Sequence, residues 1–232
     1  MKKKIYFLPG TMCNENLWIK LNSFFDSSYE LIHVPIPMEN DLDTISKVLN
    51  DTFEEKKVYL VGFSLGGYIA SYFAYKYPHR IKKLFIVASS LNILPLEEIQ
   101  KRQNAISFIN RFGFKGLSRK KVVTLLEEIN QKDESLIELI QQMYVDLGKE
   151  VFKIQMQSTL YREDLLEKFL TLEFPLTFFY CIEDRLVNHK WLESLATSSK
   201  NIIFIKKQSS SHMVPLEKPF ELSESIKKWL KE

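Results

Sequence analysis

Six short apolar runs alternate with helical patterns along the chain, and this alternation constrains the fold more than any other feature of the sequence. The runs are rich in β-branched and aromatic residues and cover 4–9, 29–37, 58–63, 82–89, 176–182 and 201–207. Most are almost continuously apolar, as strands buried on both faces of a parallel sheet require. Helical patterns cover 42–55, 65–77, 191–199 and 220–232. The sequence therefore predicts an open, mostly parallel sheet flanked by helices in an α/β fold.

The interval 92–173 breaks this alternation. It contains helical patterns such as 120–131 and 134–148, the second ending at a glycine suited to a helix C-cap, but no convincing strand pattern. We therefore expect a core domain formed by 1–91 and 174–232, with 92–173 inserted between two strands as a helical cap.

Composition and charge exclude several classes of protein. The 232 residues are 45% hydrophobic and 26% charged, which is ordinary for a soluble globular protein. The net charge of +3 is too small to indicate nucleic-acid binding. The apolar run at the start stops at Pro9, short of the ~7–15 residues of a signal-peptide core, and nothing approaches the ~18 of a membrane span. We expect a cytoplasmic protein with no membrane span and no nucleic-acid partner.

Two cysteines, Cys13 and Cys181, are too few for a disulfide framework, and we expect both to be reduced thiols.

Ser64 occupies the centre of a G-x-S-x-G pattern, with Gly62 and Gly66 on either side. The pattern follows an apolar run and precedes a helical one, which is the setting of a nucleophile elbow. In such a sharp turn the neighbours of the serine press close together, so glycine is favoured at both flanking positions. Alternatively, the stretch is an ordinary small-residue turn between a strand and a helix, and the partners of the serine must decide between the two.

A serine nucleophile needs a general base and a carboxylate that orients it. In a nucleophile-elbow protein the order along the chain is serine, acid, histidine, so the base should come late. His212 lies just past the last strand run, where a loop could carry its ring to Ser64. For the acid, Glu183 and Asp184 lie side by side at the end of a strand run, and either could hold the imidazole.

The other histidines fit the role of the base less well. His33 and His79 precede the acid. His189 is only five residues beyond Asp184, too near to span the distance, and is expected at the surface.

The oxyanion formed by attack on a carbonyl needs two N–H donors. Leu65, directly after the serine and at the start of a helix, should supply one. The loop after the first strand contains Pro9 and Gly10 and should supply the other, either from Thr11, which we favour, or from its neighbour Met12.

With these residues in place, the chain resembles the α/β-hydrolase superfamily and, more narrowly, its small capped esterase and acyltransferase-like members. The resemblance extends over nearly the whole chain outside 92–173 and rests on FLPGTMCNENLW, VGFSLGGYIASYFAYKYPHRIKKLFIVASS, EDRLV and SHMVPLEKPFELSESIKKWL. It departs from the family pattern at Pro9, where histidine is usual, and at Cys181, where glycine is usual.

The resemblance implies a triad of Ser64, His212 and Asp184 that hydrolyses a carboxylic ester or thioester through an acyl-enzyme, without a cofactor or metal. The same triad also serves C–C bond hydrolysis, lyase chemistry and acyl transfer in this family. A serine in the nucleophile position argues against the dehalogenases and epoxide hydrolases of the same fold, which use aspartate there. A ligand-binding protein with a vestigial triad is a further alternative.

The inserted segment also bears on the substrate, because the stretch between Ile99 and Leu126 is basic and contains no acidic residue. Its seven cations are Lys101, Arg102, Arg111, Lys115, Arg119, Lys120 and Lys121. A charge run is usually a solvated helix face, but this one could steer an anionic or carrier-linked acyl substrate.

Overall fold

The computed structural model describes residues 2–199 and 201–231 and contains one six-stranded sheet in the order β2-β1-β3-β4-β5-β6. The strands are β1 (Lys3–Leu8), β2 (Tyr29–His33), β3 (Val58–Phe63), β4 (Ile81–Val87), β5 (Leu176–Cys181) and β6 (Ile202–Lys207). Every neighbouring pair is parallel. The predicted sheet is confirmed, and each strand falls within or beside its apolar run.

Burial along the strands explains why the apolar runs were so continuous. All six residues of β5 are buried, as are five of six in β3. These central strands are covered on both faces and must be apolar at successive positions. The edge strands β2 and β6 contain no fully buried residue and keep polar side chains.

Helices flank the sheet. They are α1 (Leu42–Thr52), α2 (Leu65–Lys76), α3 (Leu96–Phe112), α4 (Arg119–Val123), α5 (Glu134–Ser158), α6 (Leu166–Leu170), α7 (His189–Ser198), α8 (Val214–Glu217) and α9 (Pro219–Lys231). The helix α2 packs directly against β3 and β4. On α9, the Trp229 ring meets the rings of Tyr59 and Phe85, so this helix also covers the central strands. In the described part of the chain, no helix is both long and apolar enough to span a membrane.

The interval 92–173 is helical, and none of its described residues lies in a strand. Two helix boundaries differ from the prediction. At Gly148 the backbone has φ 73°, which interrupts α5, but a second helical stretch continues to Ser158. The predicted helix over 120–131 is wrong beyond its first part, because α4 ends at Val123 and only a short 3-10 turn follows at Glu128–Asn130.

Because all six strands are parallel, the loops that follow them gather at one edge of the sheet. The loops after β1, β3, β5 and β6 carry the candidate residues Thr11, Ser64, Asp184 and His212. In open parallel sheets this edge is where ligands bind, near the point where the strand order reverses. Here the order reverses between β1 and β3, and Ser64 directly follows β3.

Candidate active site

Ser64 lies in a strained turn between β3 and α2. Its backbone has φ 50° and ψ −114°, a conformation that residues other than glycine rarely adopt. The Ser64 N–H donates to the carbonyl of Val87 at the end of β4, at 2.9 Å, which helps to hold this conformation. Strain of this kind at the carboxyl edge of the sheet is typical of a nucleophile elbow, and an ordinary turn would not require it.

The glycines around Ser64 are required by close backbone contacts. A Cβ on Gly62 would lie 2.4 Å from the carbonyl oxygen of Gly66. One on Gly66 would lie 2.3 Å from the carbonyl oxygen of Pro9, at the start of the loop after β1. Gly67, for which the sequence analysis gave no role, is also needed, since its Cβ would lie 2.7 Å from the Cβ of Ser89. The turn can therefore form only with small residues at these positions.

A chain of hydrogen bonds joins Ser64, His212 and Asp184. The Nε2 of His212 lies 3.0 Å from Ser64 Oγ, and its Nδ1 lies 2.7 Å from Asp184 Oδ2. His212 is 6% exposed and Asp184 is 1% exposed. A carboxylate only accepts hydrogen bonds, so Nδ1 carries the proton and Nε2 is free to accept from the serine hydroxyl. The residues are 148 and 28 positions apart along the chain, and the sheet edge brings them together.

The two adjacent carboxylates have different surroundings. Asp184 Oδ1 accepts the N–H of Leu186 at 2.9 Å while Oδ2 accepts from His212. Glu183 is exposed and accepts from the side chain of Gln208. Of these two adjacent carboxylates, only Asp184 contacts the imidazole.

His189, expected at the surface, has a role that the sequence analysis missed. It begins α7, is half-buried, and places Nε2 2.8 Å from the backbone oxygen of Asp184. It thus supports the loop that carries Asp184.

His33 accepts from the Trp18 indole at 3.2 Å, and burial lowers the pKa of its imidazole.

The two cysteines are free and buried. Burial raises the pKa of Cys13 to about 12 and that of Cys181 to about 11. Neither sulfur is a thiolate near neutral pH, so neither is a candidate nucleophile.

The loop after β1 runs beside the serine. A Cβ on Gly10 would lie 3.3 Å from Ser64 Cβ. The N–H of Met12, which has φ 54°, donates to Gln155 Oε1 of α5 at 2.8 Å. By contrast, the N–H groups of Thr11 and Leu65 have no acceptor among residues 2–199 and 201–231. Of the two candidates in this loop, Thr11 is the one with an uncommitted donor.

The inserted segment contacts the loops that carry the candidate residues. Gln155 reaches the loop after β1, and the carbonyl of Leu125 accepts the backbone N–H of His212 at 2.9 Å. The aromatic side chains of the segment are not all equivalent: Phe114 and Phe152 pack together with ring centroids 5.7 Å apart, whereas Phe108 is 56% exposed.

No group of three or more His, Cys, Asp or Glu side chains is arranged to hold a metal ion within the part of the chain that the structure covers.

Comparison with solved structures finds close similarity of fold at low sequence identity. A thermophilic esterase from Thermogutta terrifontis superposes with a TM-score of 0.84 at 19% identity, over 100% of this chain and 90% of that one. An enol-lactonase from Burkholderia xenovorans gives 0.84 at 14% identity, over 100% and 92%. A carboxylesterase structure from the thaumarchaeon Nitrososphaera gargenis gives 0.80 at 13% identity, over 99% and 90%.

Sequence similarity is found at the level of the family and not of an individual curated protein. No curated protein matches the sequence significantly. The family model described as alpha/beta hydrolase fold matches residues 35–219, which is more than half of the chain. The strained serine after β3, the parallel sheet and this match agree, and the chain belongs to the alpha/beta hydrolase fold family.

Proposed function

We propose that the protein is a serine hydrolase of carboxylic esters or thioesters, with Ser64 as nucleophile, His212 as general base and Asp184 as the group that orients the base. The observation that carries the proposal is the hydrogen-bonded series Ser64 Oγ, His212 Nε2, His212 Nδ1 and Asp184 Oδ2, with links of 3.0 and 2.7 Å. Family membership supports a hydrolase, and esterases are among the proteins of similar fold.

In the first half of the reaction, Ser64 Oγ attacks the substrate carbonyl carbon as its proton passes to His212 Nε2. The carbonyl π electrons move onto oxygen, giving a tetrahedral oxyanion. When this collapses, the bond to the alcohol or thiol breaks, and the leaving group takes the proton from Nε2. Asp184 stabilises the transient imidazolium and keeps the ring in the required tautomer.

In the second half, His212 takes a proton from water, whose oxygen attacks the acyl carbon on Ser64. The second tetrahedral intermediate releases the carboxylic acid, and the proton on Nε2 returns to Ser64 Oγ. The enzyme is restored with one water consumed, and no group outside the chain is needed for proton transfer.

The oxyanion hole in this proposal consists of the N–H groups of Thr11 and Leu65. Leu65 is the first residue of α2, so its N–H belongs to the positive end of the helix. The N–H of Met12 is already used by Gln155, which favours Thr11 as the second donor. Donors fixed by the fold stabilise the developing negative charge without reorganising during the reaction.

The segment 92–173 serves as a cap in this proposal, with 1–91 and 174–232 as the core domain. Its contacts with the loop of Met12 and with the backbone of His212 support this role, since they place the segment beside the nucleophile.

The substrate that fits is a small molecule with an acyl group, and an anionic or carrier-linked acyl group would suit the basic part of the cap. Three of the seven cations there are paired with acids outside the basic stretch: Lys101 with Glu97, Arg102 with Glu98 and Arg119 with Glu134. Lys120 and Lys121 are exposed and form no ion pair among the described residues. Arg111 and Lys115 are likewise exposed without an ion pair among the described residues, so Lys120 and Lys121 are two of four cations available to steer an anion.

Labelling with a fluorescent fluorophosphonate tests the chemistry directly. Wild-type protein should be labelled, Ser64→Ala should not, and His212→Ala should be labelled far more slowly. Ser23→Ala, at an exposed serine, serves as the matched control and should behave as wild type. A folded wild type that is neither labelled nor active on p-nitrophenyl esters would refute the proposal and favour a ligand-binding protein.

The preference for an anionic substrate is tested by reversing the charge of Lys120 and Lys121. Lys120→Glu with Lys121→Glu should lower kcat/KM for an anionic thioester and leave a neutral ester unaffected. Lys56→Glu with Lys57→Glu, another exposed lysine pair, is the control and should change neither. Equal losses on both substrates in the first variant would rule out steering, and product analysis would distinguish hydrolysis from lyase or acyl-transfer chemistry.

A further inference from the structure

A cluster of polar side chains lies beneath the loop that carries His212. Its members are Glu127, Asn130, Ser209, Ser211, Glu217 and Lys218. Glu127 and Asn130 belong to the turn after α4, whereas the others lie between β6 and α9. The mechanism above uses none of them, although Ser211 directly precedes His212.

Glu217 is the centre of this cluster. Its Oε1 accepts the backbone N–H of Glu127 and the side-chain amide of Asn130, both at 2.9 Å. Its Oε2 accepts the hydroxyl of Ser211, which is fully buried. One carboxylate therefore joins the inserted segment to the residue that precedes the proposed base.

A second set of contacts extends the connection to the acid. Ser209 Oγ donates to Glu127 and accepts the N–H of Ser211 at 3.0 Å. The backbone oxygen of Ser209 accepts the N–H of Glu183, next to Asp184, at 3.1 Å. Lys218 Nζ lies 2.8 Å from Glu127 Oε2, and the side chains of both are only 18% exposed.

The backbone of the same turn holds His212 itself. Leu125 O accepts the N–H of His212 at 2.9 Å. In a continuous helix over 120–131 this carbonyl would bond to the N–H of Ile129, and the N–H of Glu127 would bond to the carbonyl of Val123. In the structure the Leu125 carbonyl instead accepts from His212, and the Glu127 N–H instead donates to Glu217. These two bonds account for the end of α4 at Val123.

We propose that Glu217 is a positioning residue that fixes the His212 loop to the 125–130 turn, so that the inserted segment is part of what sets the geometry of the base. This inference rests on the proposed function, since His212 is the base only there. It also means that the 125–130 side of the segment is the fixed side. Any opening that admits substrate takes place elsewhere, because moving this turn would displace His212.

The test compares two substitutions of the same residue. Glu217→Leu removes both acceptor oxygens, whereas Glu217→Gln keeps one acceptor for Glu127 and Asn130. We expect Glu217→Leu to lower kcat by about 100-fold with little change in KM, the effect of a catalytic group displaced by about 1 Å. Glu217→Gln should restore most of that loss. Glu224→Leu, at an exposed glutamate of α9, should match wild type.

A readout independent of turnover separates this inference from the proposed function. The Nδ1 proton of His212, donated to Asp184, should give a low-field signal in the proton NMR spectrum, which Glu217→Leu should shift or abolish and Glu217→Gln should retain. If wild type proves inactive towards esters and fluorophosphonate, the proposed function fails, while this signal still tests the positioning.

Glu217→Leu with unchanged kcat and an unchanged signal would overturn the inference, as would a Glu217→Gln variant as impaired as Glu217→Leu. Should Glu217→Leu not fold, Ser211→Ala and Glu127→Gln remove contacts singly. Each should lower kcat and shift the signal by less than the full substitution, and wild-type values in both variants would overturn the inference.

Discussion

The backbone N–H of Met12 donates a 2.8 Å hydrogen bond to the side chain of Gln155, joining the loop after β1 to α5 across 143 positions of sequence. Gln155 is 4% exposed, so water does not replace it easily. Since Met12 has φ 54°, the bond also holds a residue in an unfavourable conformation beside the proposed oxyanion donor.

Gln155→Met keeps the size of this side chain but removes the acceptor. We expect the free energy of unfolding to fall by about 1–3 kcal/mol, because the Met12 N–H is left buried and unpaired. We also expect kcat for an ester to fall, since the neighbouring Thr11 N–H loses its fixed position. Urea unfolding and steady-state kinetics measure the two effects. Gln157→Met, at an exposed position of the same helix, is the control, and equal stability of the two variants would contradict the prediction.

The adjacent carboxylates Glu183 and Asp184 allow a matched pair of variants to be compared. Asp184→Asn should reduce kcat by about 10⁴-fold while leaving the fold intact, because the amide no longer selects the tautomer with the proton on Nδ1. Glu183→Gln should stay near the wild-type rate, since Glu183 contacts Gln208 and not the imidazole. Ester kinetics with both variants check this, and a larger loss in Glu183→Gln would reverse the assignment of the acid.

Gly66→Ala should inactivate the protein. The added methyl would lie 2.3 and 2.4 Å from the carbonyl oxygens of Pro9 and Leu8, and neither backbone group can yield without moving the loop beside Ser64. We expect a loss of about 1–3 kcal/mol of stability together with much slower fluorophosphonate labelling.

Gly113→Ala is the comparison for that experiment. Gly113 has φ 83° but no atom within 4 Å of its Cβ position, so alanine there is strained without a clash near Ser64. It should lower stability and leave the labelling rate unchanged. Similar labelling of the two alanine variants would show that the contact between Gly66 and Pro9 does not set the position of the nucleophile.

Glu217 should make stability depend on pH. Burial raises the pKa of its carboxyl in the folded protein, so the folded state binds this proton more tightly than the unfolded state does. The contribution is fully present below the unfolded value of about 4.3 and is lost as pH rises through the folded pKa. Glu217→Gln cannot titrate, so wild type should lose stability relative to it as pH rises from 4 towards neutral.

Thermal unfolding of wild type and Glu217→Gln across this pH range measures the difference. A wild type that gained stability over the variant with rising pH would show that the hydrogen bonds of Glu217 outweigh its burial.

The sequence by itself determined the features that depend on neighbouring residues. The continuous apolar runs predicted the buried parallel strands, because burial on both faces imposes hydrophobicity at successive positions. The flanking glycines and the change from strand to helical pattern located the strained turn at Ser64. The order of residues narrowed the candidates for the base to His212, and the family resemblance favoured Asp184 over Glu183.

Tertiary structure decided the features that depend on contacts between distant parts of the chain. Residues 120–131 have a helical pattern, but the Leu125 carbonyl and the Glu127 N–H bond to the His212 loop and to Glu217, so α4 stops early. The hydrogen bond from the Met12 N–H to Gln155 could not be predicted from the local sequence pattern for the same reason. A hydrogen bond between residues 143 positions apart leaves no periodic signal in the sequence, and only the folded sheet brings its two ends together.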